Sequence, residues 1–102
     1  MTTLVVLPAE HPAHYEDMPP GLDGYWWETE HMVCVPLVQA RQRGVFLPWL
    51  MALERKGKPV FFPSVINARL QRLLALRGYV GARVETDMGW VSGFAKLPGW
   101  KP

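Results

Sequence analysis

The amino-acid sequence predicts an α/β domain with a mixed sheet, built in the order strand, helix, strand, helix and β-hairpin between about Glu30 and Lys96. Two apolar runs without helical spacing alternate with two segments of helical spacing. An alternating pattern at 83–96, with a turn at 87–89, then predicts the closing hairpin. The 102 residues are expected to form a single domain, and a composition of 49% hydrophobic and 20% charged residues is typical of folded proteins.

The N-terminal segment predicts one short strand and little else that is regular. Residues 1–8 contain a β-branched and aliphatic run closed by Pro8, which fits an edge strand. Residues 9–24 are acidic and rich in proline and glycine, so we expect a long loop or an extended arm there. A connection of that length is usually functional or bound to a partner. Residues 25–102 are expected to form the core of the domain.

The first core strand is predicted from Tyr25 to Val35. Its first half alternates aromatic with polar residues and its second half is almost wholly apolar, as in a strand that enters the buried centre of a sheet. Pro36 is expected to end this strand. A helix is then predicted from Leu47 to Arg55, with Gly57 as its left-handed stop.

The second buried strand is predicted at Pro59–Pro63. Because a helix joins the two strands, we expect them to be parallel, with a right-handed crossover. Asn67 is a suitable N-cap for the next helix, and Gly78 is suitable as its stop. The buried stripe of this helix is expected to consist of four leucines, Leu70, Leu73, Leu74 and Leu76.

Charge is sharply divided along the chain. Residues 1–40 contain acids and no lysine or arginine, whereas residues 41–83 contain nine basic residues against Glu54 alone. Such a basic segment suits a phosphorylated ligand, a nucleic acid or an acidic protein surface. The acidic segment could instead fold over the basic one and neutralise it within the molecule. The sequence leaves both interpretations open.

Compartment and metal content are constrained by what the chain lacks. No apolar run approaches the ~18 residues that a membrane span needs, and the N-terminus has no signal-peptide pattern, so a soluble cytoplasmic protein is expected. The single cysteine, Cys34, lies in an apolar run and is expected to be a buried thiol in a reducing compartment. No metal site is predicted, since the titratable cluster of the proline-rich segment has no recognisable ligand frame: His11, His14, Glu16 and Asp17.

Two motifs stand out, and the first of them suits an anion site. The run Arg41-Gln42-Arg43-Gly44-Val45-Phe46 is a basic loop directly before the first helix, whose free backbone N–H groups suit an anion. The second motif is Asn67, followed eleven residues later by Gly78 and Tyr79. Each motif also has a purely structural explanation, because Asn67 and Gly78 could be only helix caps and Gly44 only a turn.

Taken in this order, the two motifs resemble the C-terminal half of the GNAT family of acetyl-CoA-dependent N-acyltransferases. The resemblance implies a GNAT-like sheet and acetyl-CoA as the cofactor. It further implies cofactor-binding roles for Arg41, Arg43, Gly44, Val45 and Asn67.

The sequence departs from the family pattern at positions that matter for catalysis. Phe46 stands where the family loop has glycine or alanine, so a benzyl group there is expected to hinder a pyrophosphate. Leu74 stands where many active members have the tyrosine that protonates the leaving thiolate. The N-terminal half is also too short for the helices and strands that build the acceptor pocket of the family.

Few residues remain as catalytic candidates. Glu28, Glu30 and His31 are predicted on the strand where family members often carry a base, so a base is available. Tyr79 is the weak candidate for the acid, although a residue that follows a helix stop more often packs in the core. The chain is therefore expected to retain the scaffold of the family with its chemistry weakened or lost.

The favoured function is a degenerate GNAT-like domain that acts as a binding or structural component, with a protein partner or a second copy of the chain. Tyr25, Trp26 and Trp27 could anchor such an interface or pack in the core. A loose resemblance to the GNAT-like internal virion proteins of short-tailed phages implies incorporation into a virion. The alternative is a minimal N-acetyltransferase that acts on an amine or lysine. A weaker hypothesis, a nucleic-acid-binding module, depends on five arginines, Arg41, Arg43, Arg69, Arg72 and Arg77.

Overall fold

One mixed β-sheet with two helices forms the described part of the protein, residues 5–7, 12, 14–65, 67–86 and 89–98 of a computed structural model. The elements in chain order are β1 (Val5–Leu7), β2 (Glu16–Asp17), β3 (Leu22–Glu28), β4 (Val33–Ala40), α1 (Phe46–Glu54), β5 (Val60–Pro63), α2 (Ala68–Leu76), β6 (Val80–Thr86) and β7 (Gly89–Lys96). The strands lie in the order β1-β6-β7-β5-β4-β3-β2. The predicted α/β class with a mixed sheet is thus confirmed.

The second half of the chain follows the predicted order of elements. Strands β4 and β5 are parallel and are joined through α1, and β6 pairs with β7 as an antiparallel hairpin. Strand β1 lies at the sheet edge, as expected, where it pairs in parallel with β6. The predicted centre of the hairpin, Asp87 and Met88, lies outside the described residues.

The single strand predicted from Tyr25 to Val35 is wrong, because this segment contains the turn of a hairpin. Strands β3 and β4 pair antiparallel, and Thr29 closes the turn by donating its N–H to the Met32 carbonyl at 2.9 Å. The Thr29 hydroxyl oxygen also accepts the backbone N–H groups of His31 and Met32, each at 3.2 Å. The change from an alternating to an apolar pattern therefore marks a change of strand.

The loop or arm predicted for residues 9–24 is also corrected, since this range contains β2 and the start of β3. Strand β2 pairs with β3 at the sheet edge. Gly24 makes the pairing of β3 with β4 possible, because its φ is 124° and a Cβ there would lie 2.0 Å from the Leu37 carbonyl oxygen. Glycine, which predicted a loop, here permits a close approach between strands.

Pro36 does not end β4 as predicted, and the strand continues through it to Ala40. Leu37 is paired with Tyr25 and Cys34 with Trp27, so β4 has one more residue than β3 between these pairs. This extra residue is a β-bulge beside a proline that has no N–H to give to the ladder.

The two faces of the sheet bury separate clusters. Along β5, Val60 and Phe62 point to one face and Phe61 to the other. The helix-side cluster consists of Val33, Val35, Leu50, Leu53, Val60, Phe62, Leu74 and Tyr79. The far-side cluster consists of Leu7, Trp27, Met32, Cys34, Phe61, Ala82, Val84 and Ala95. The buried residues of both described helices belong to the helix-side cluster, so α1 and α2 cover the same face.

Both helices lie close to their predicted positions. Asn67 is the N-cap of α2, where its side-chain oxygen accepts the N–H groups of Arg69 and Leu70 at 2.9 and 3.1 Å. Gly78 follows this helix with a φ of 88°, the left-handed conformation expected of a helix stop. Leu74 is fully buried, but Leu76 is 81% exposed, so its predicted place in the buried stripe is wrong.

Strands β4 and β5 separate soon after they begin. Their pairing ends at Cys34 and Phe61, although β4 continues and stays paired with β3. Ser64 donates its N–H to the Ser92 carbonyl on β7, at 2.8 Å, so the nitrogen of the preceding Pro63 faces β4. Proline has no hydrogen to donate there, and the next rung of the ladder cannot form. The separation leaves an open cleft on the helix side of the sheet.

Substitution of Gly93 by alanine tests the packing of β5 against β7. A Cβ at Gly93 would lie 2.0 Å from the Phe62 carbonyl oxygen, whereas a Cβ at Gly57 would meet nothing within 4 Å. We expect Gly93→Ala to lower the free energy of unfolding in urea by about 3 kcal/mol. Gly57→Ala, which only strains a left-handed residue, should cost about 1–2 kcal/mol. Equal losses for the two variants would contradict this account of β7.

Candidate functional site

Two adjoining clefts occupy the space between the separated strands and the starts of both helices. The smaller measures about 100 Å³ and the larger about 360 Å³. The smaller is lined by Val35, Pro36, Leu37, Val38, Phe62, Pro63, Ser64, Val65, Asn67 and Leu70. The larger is lined by Val38, Gln39, Ala40, Phe46, Asn67, Arg69, Leu70 and Leu73. Because Val38, Asn67 and Leu70 line both clefts, the two can hold parts of one elongated ligand.

The starts of two helices border the larger cleft. Helix α1 begins at Phe46, and its N-cap residue, Val45, forms no side-chain capping hydrogen bond. The N–H groups of Phe46 and Leu47 therefore stay available to a ligand, whereas Pro48 has none. At α2 the side-chain oxygen of Asn67 accepts the N–H groups of Arg69 and Leu70. The side-chain NH₂ group of Asn67 remains as a donor at the wall of both clefts.

The electrostatics of the cleft are positive. Neither helix has an acidic residue in its first turn, so neither positive end of the helix dipoles is offset there. Arg69 adds a full positive charge at the start of α2, where a cation opposes the dipole and weakens the helix. The described residues that line the clefts include no carboxylate. This combination favours an anionic ligand.

Apart from Phe46, the predicted anion loop flanks the larger cleft without lining it. Among the predicted binding residues only Asn67 is part of the lining, whereas Arg41, Arg43, Gly44 and Val45 are not. Arg41 forms an ion pair with Asp23 at 3.0 Å, and its N–H donates to the carbonyl of Gly21.

Arg43 and Gly44 of this loop are exposed, and the φ of Gly44 is 79°. Arg43 forms no ion pair with any described residue, so its charge stays available beside the start of α1. The loop can therefore contribute to an anion site through Arg43 more readily than through Arg41.

The two departures from the family pattern have different structural settings. The Phe46 ring packs against Trp49 and Phe62, with ring centroids 6.0 and 6.5 Å apart, and forms part of the wall of the larger cleft. Leu74 is fully buried in the helix-side cluster and does not line either cleft. No group at position 74 can reach a ligand in these clefts without a change in the core.

The predicted bases lie far from the clefts. Glu30 and His31 are exposed in the turn between β3 and β4, not on a strand as predicted. This turn precedes β4, whereas the clefts lie along the far end of the same strand. Glu28 is occupied by two lysines, since Lys58 and Lys56 donate to its carboxylate at 2.7 and 3.1 Å. The hydrogen bond from Lys58 is the main cause that lowers the pKa of Glu28.

Tyr79 belongs to a structural cluster and not to the cleft lining. Its side chain is buried, and its hydroxyl donates to Glu54 Oε2 at 2.9 Å. Arg77 donates to both oxygens of the same carboxylate, and Lys96 Nζ lies 3.9 Å from it. Burial, followed by the Glu54 charge, raises the pKa of Tyr79 well above its usual range. A tyrosine held protonated to this extent is a poor proton donor at neutral pH.

Two residues of the cleft lining, Ser64 and Arg69, were not predicted as part of the cofactor site. Ser64 has a φ of 54°, a strained conformation for a residue other than glycine, and lines the smaller cleft. Nothing in the sequence indicates that strain. Arg69 had a readable signal, because a basic residue in the first turn of a helix is unfavourable for the helix itself.

The division of charge along the chain is partly neutralised by contacts within the molecule. Asp23 pairs with Arg41, and Glu28 pairs with Lys56 and Lys58. Of the five arginines in the nucleic-acid hypothesis, Arg41 and Arg77 are therefore engaged in ion pairs. The other three, Arg43, Arg69 and Arg72, are exposed and form no ion pair with a described residue.

The remaining chemically notable groups are not positioned for reaction. The Cys34 thiol is buried, and burial raises its pKa to about 12, so it is protonated at neutral pH. His14 bonds Glu16 at 2.7 Å on the surface, while His11 lies outside the described residues. Within the described ranges, no group of three His, Cys, Asp or Glu side chains could hold a metal ion.

Comparison of the chain with protein-family models, with curated proteins and with solved structures found no match. Each of the two described helices has nine residues, and none in the part of the chain that the structure describes could cross a membrane.

The Glu54 cluster predicts how stability depends on pH. Burial alone would raise the pKa of Glu54, but hydrogen bonds from Arg77 and Tyr79 and the Lys96 charge outweigh it, and the net effect lowers the pKa. The cluster therefore contributes stability above the unfolded pKa of about 4.3 and loses it as pH falls through the lower folded pKa. We expect Glu54→Gln to lower the free energy of unfolding at pH 7 by about 3 kcal/mol and to flatten its acid dependence.

The control for this experiment is Glu30→Gln, which changes the same side chain at an exposed turn. Urea denaturation between pH 2.5 and 7 measures both variants. An acid dependence of Glu54→Gln as steep as that of the original protein would show that Glu54 is not the titrating group.

Proposed function

We propose that the protein is a degenerate GNAT-like domain that acts as a binding component, and that its cleft takes an elongated anionic ligand of the coenzyme A type. The observation that carries this proposal is the positive cleft, which lies at the starts of both helices and which no described carboxylate lines. Anionic groups bind at helix N-termini through free N–H groups and the dipole together. The resemblance of the two sequence motifs to the GNAT family supports the choice of ligand.

The shape of the cleft suits a ligand with an extended amide-bearing arm. Where β4 leaves β5, the backbone of β4 no longer has a neighbouring strand on that side. Peptide-like amides can add to such a strand edge by main-chain hydrogen bonds. The lining is largely apolar apart from Asn67, Ser64, Gln39 and Arg69, which matches a binding site with a few orienting polar groups. The 360 Å³ of the larger cleft would hold one part of the ligand and leave the rest in solvent.

The lack of acid–base groups at the cleft favours binding over catalysis. Among the described lining residues there is no His, Cys, Tyr, Asp or Glu, and Ser64 has the one hydroxyl group. Transfer of an acetyl group to an ammonium substrate needs a base, and departure of the thiolate is assisted by an acid. Glu30 and His31 lie at the other end of β4, and Tyr79 lies in the Glu54 cluster.

Thermal unfolding with coenzyme A tests the proposal. A ligand present at about 100 times its dissociation constant adds about 2.7 kcal/mol of stability, which should raise Tm by roughly 10 °C in a domain of this size. Ala40→Trp places a large ring in the larger cleft from an exposed position and should abolish the shift. Ala75→Trp, at an exposed position of α2 outside the lining, is the matched control and should keep the shift.

Each outcome of this experiment is decisive for one part of the proposal. No shift at about 1 mM coenzyme A, or an equal shift for both tryptophan variants, would reject the cleft as its binding site.

Release of free thiol from acetyl-CoA in the presence of polylysine, measured with a thiol reagent, would favour the minimal N-acetyltransferase instead. Incorporation into a virion, which the sequence resemblance implies, stays a prediction.

A further inference from the structure

Two exposed apolar surfaces lie on opposite sides of the sheet and have opposite charge. The exposed large hydrophobic side chains of the described residues are Val6, Tyr15, Tyr25, Leu37, Leu47, Met51, Leu76 and Trp90. Five of these eight form two groups, one near β2 to β4 and one on the outer side of α1.

The first group, the tyrosine patch, consists of Tyr15, Tyr25 and Leu37 with the acid Asp17, while the nearby Asp23 is neutralised by Arg41. The rings of Tyr15 and Tyr25 meet edge to face at 5.1 Å, and Tyr25 is the register partner of both Leu37 and Asp17. Tyr15 is 63% exposed and Leu37 is 56% exposed, so the patch is open to a partner.

The tyrosine patch lies on the face of the sheet away from the helices. Side chains two residues apart on a strand share a face, so Tyr25 shares the face of Trp27, which belongs to the far-side cluster. Asp17 is exposed and forms no ion pair with a described residue. The patch therefore combines an apolar centre with a free negative charge.

The second group, the α1 stripe, consists of Leu47, Met51 and Arg55. Their spacing of four residues places them on one side of the helix. Leu47 and Met51 are 39% and 37% exposed, and Arg55 is exposed without an ion pair to a described residue. The buried side of the same helix, Leu50 and Leu53, packs in the helix-side cluster. A helix that is apolar on both sides is typical of one covered on both sides.

We propose that the tyrosine patch of one molecule docks on the α1 stripe of a second copy, head to tail. The patches are complementary in charge, and each has an apolar centre, as protein interfaces commonly do. They cannot meet within one molecule, because they lie on opposite faces of the sheet. Pairing of two tyrosine patches across a two-fold axis would instead put the unpaired Asp17 carboxylates of both copies in one interface, a like-charge arrangement.

A head-to-tail interface has a consequence for the size of the assembly. The two contacting surfaces differ, so each added molecule exposes a new copy of both. The assembly grows into open chains unless the rotation between copies closes a ring. Because charges flank both patches, association should weaken as salt rises.

The experiment measures mass by sedimentation velocity from about 10 μM to about 1 mM protein, at about 20 mM and about 500 mM salt. The original protein should exceed its 11.6 kDa monomer mass with increasing concentration at low salt. Asp17→Lys in the tyrosine patch and Met51→Glu in the α1 stripe should each weaken self-association at least tenfold. Glu30→Lys and Leu76→Glu, the same changes at exposed positions outside both surfaces, should associate as the original protein does.

Mixing the two weakened variants in equal amounts separates this proposal from a symmetric dimer. The Asp17→Lys molecule keeps its α1 stripe and the Met51→Glu molecule keeps its tyrosine patch, so the mixture should associate although neither variant does so alone. A symmetric dimer through either surface would not be restored by mixing.

Circular dichroism checks that each variant is folded, and Tyr15→Ser with Leu47→Ser is the second pair if one is not. A monomer at about 1 mM and low salt would overturn the proposal and leave the surfaces to a different partner. Failure of the mixture to associate would overturn it equally. The coenzyme A shift is measured on its own, so its loss and the loss of assembly are separate results.

Discussion

The missing N–H of Pro63 is the constraint on which the site depends. The nitrogen of Pro63 faces β4 because Ser64, the next residue, donates to Ser92 on β7. With no donor there, the ladder between β4 and β5 ends at Cys34 and Phe61. A continuous parallel pair would have filled the space that now forms the two clefts. Proline is usually confined to edge strands, but Pro63 lies on an interior strand and separates it from β4.

Core packing fixes what borders that gap. Leu50 and Leu53 of α1 and Leu74 of α2 are buried in one cluster on the same face, which holds the two helices with their first turns at the larger cleft. The Glu54 cluster joins the end of α1 to Arg77 and Tyr79, which follow α2, and to Lys96 at the end of β7. Titratable groups therefore interact where the helices end, whereas the start of α1 has no side-chain cap and the start of α2 is capped by Asn67. This distribution explains why the lining of the two clefts contains so few acid–base groups.

Local features of the sequence predicted more of this structure than long-range ones. The Asn67 cap, the Gly78 stop and the parallel pair around α1 each depend on residues close in the chain, and all three are confirmed. The turn at Thr29 was missed because its closure uses backbone and hydroxyl hydrogen bonds in a segment with no glycine or proline. The strand at Gly24 was missed, because a glycine in that segment indicates a loop. Its actual role depends on the Leu37 carbonyl, which belongs to another strand and is distant in the sequence. The clefts could not be predicted, because they depend on which way the Pro63 nitrogen points within the sheet.

The charge division of the sequence becomes a division in space. Among the described residues without an ion pair, Asp17 lies on the tyrosine patch, whereas Arg43 and Arg69 lie near the larger cleft and Arg55 lies on the α1 stripe. Helix α1 contributes to both the larger cleft and the α1 stripe. Phe46 lines the cleft, and Leu47, the next residue, begins the stripe. A copy docked on the stripe would thus lie beside the mouth of the cleft. If docking changes the affinity of the cleft for its ligand, the ligand must change the affinity of docking by the same factor, because the two equilibria share one thermodynamic cycle.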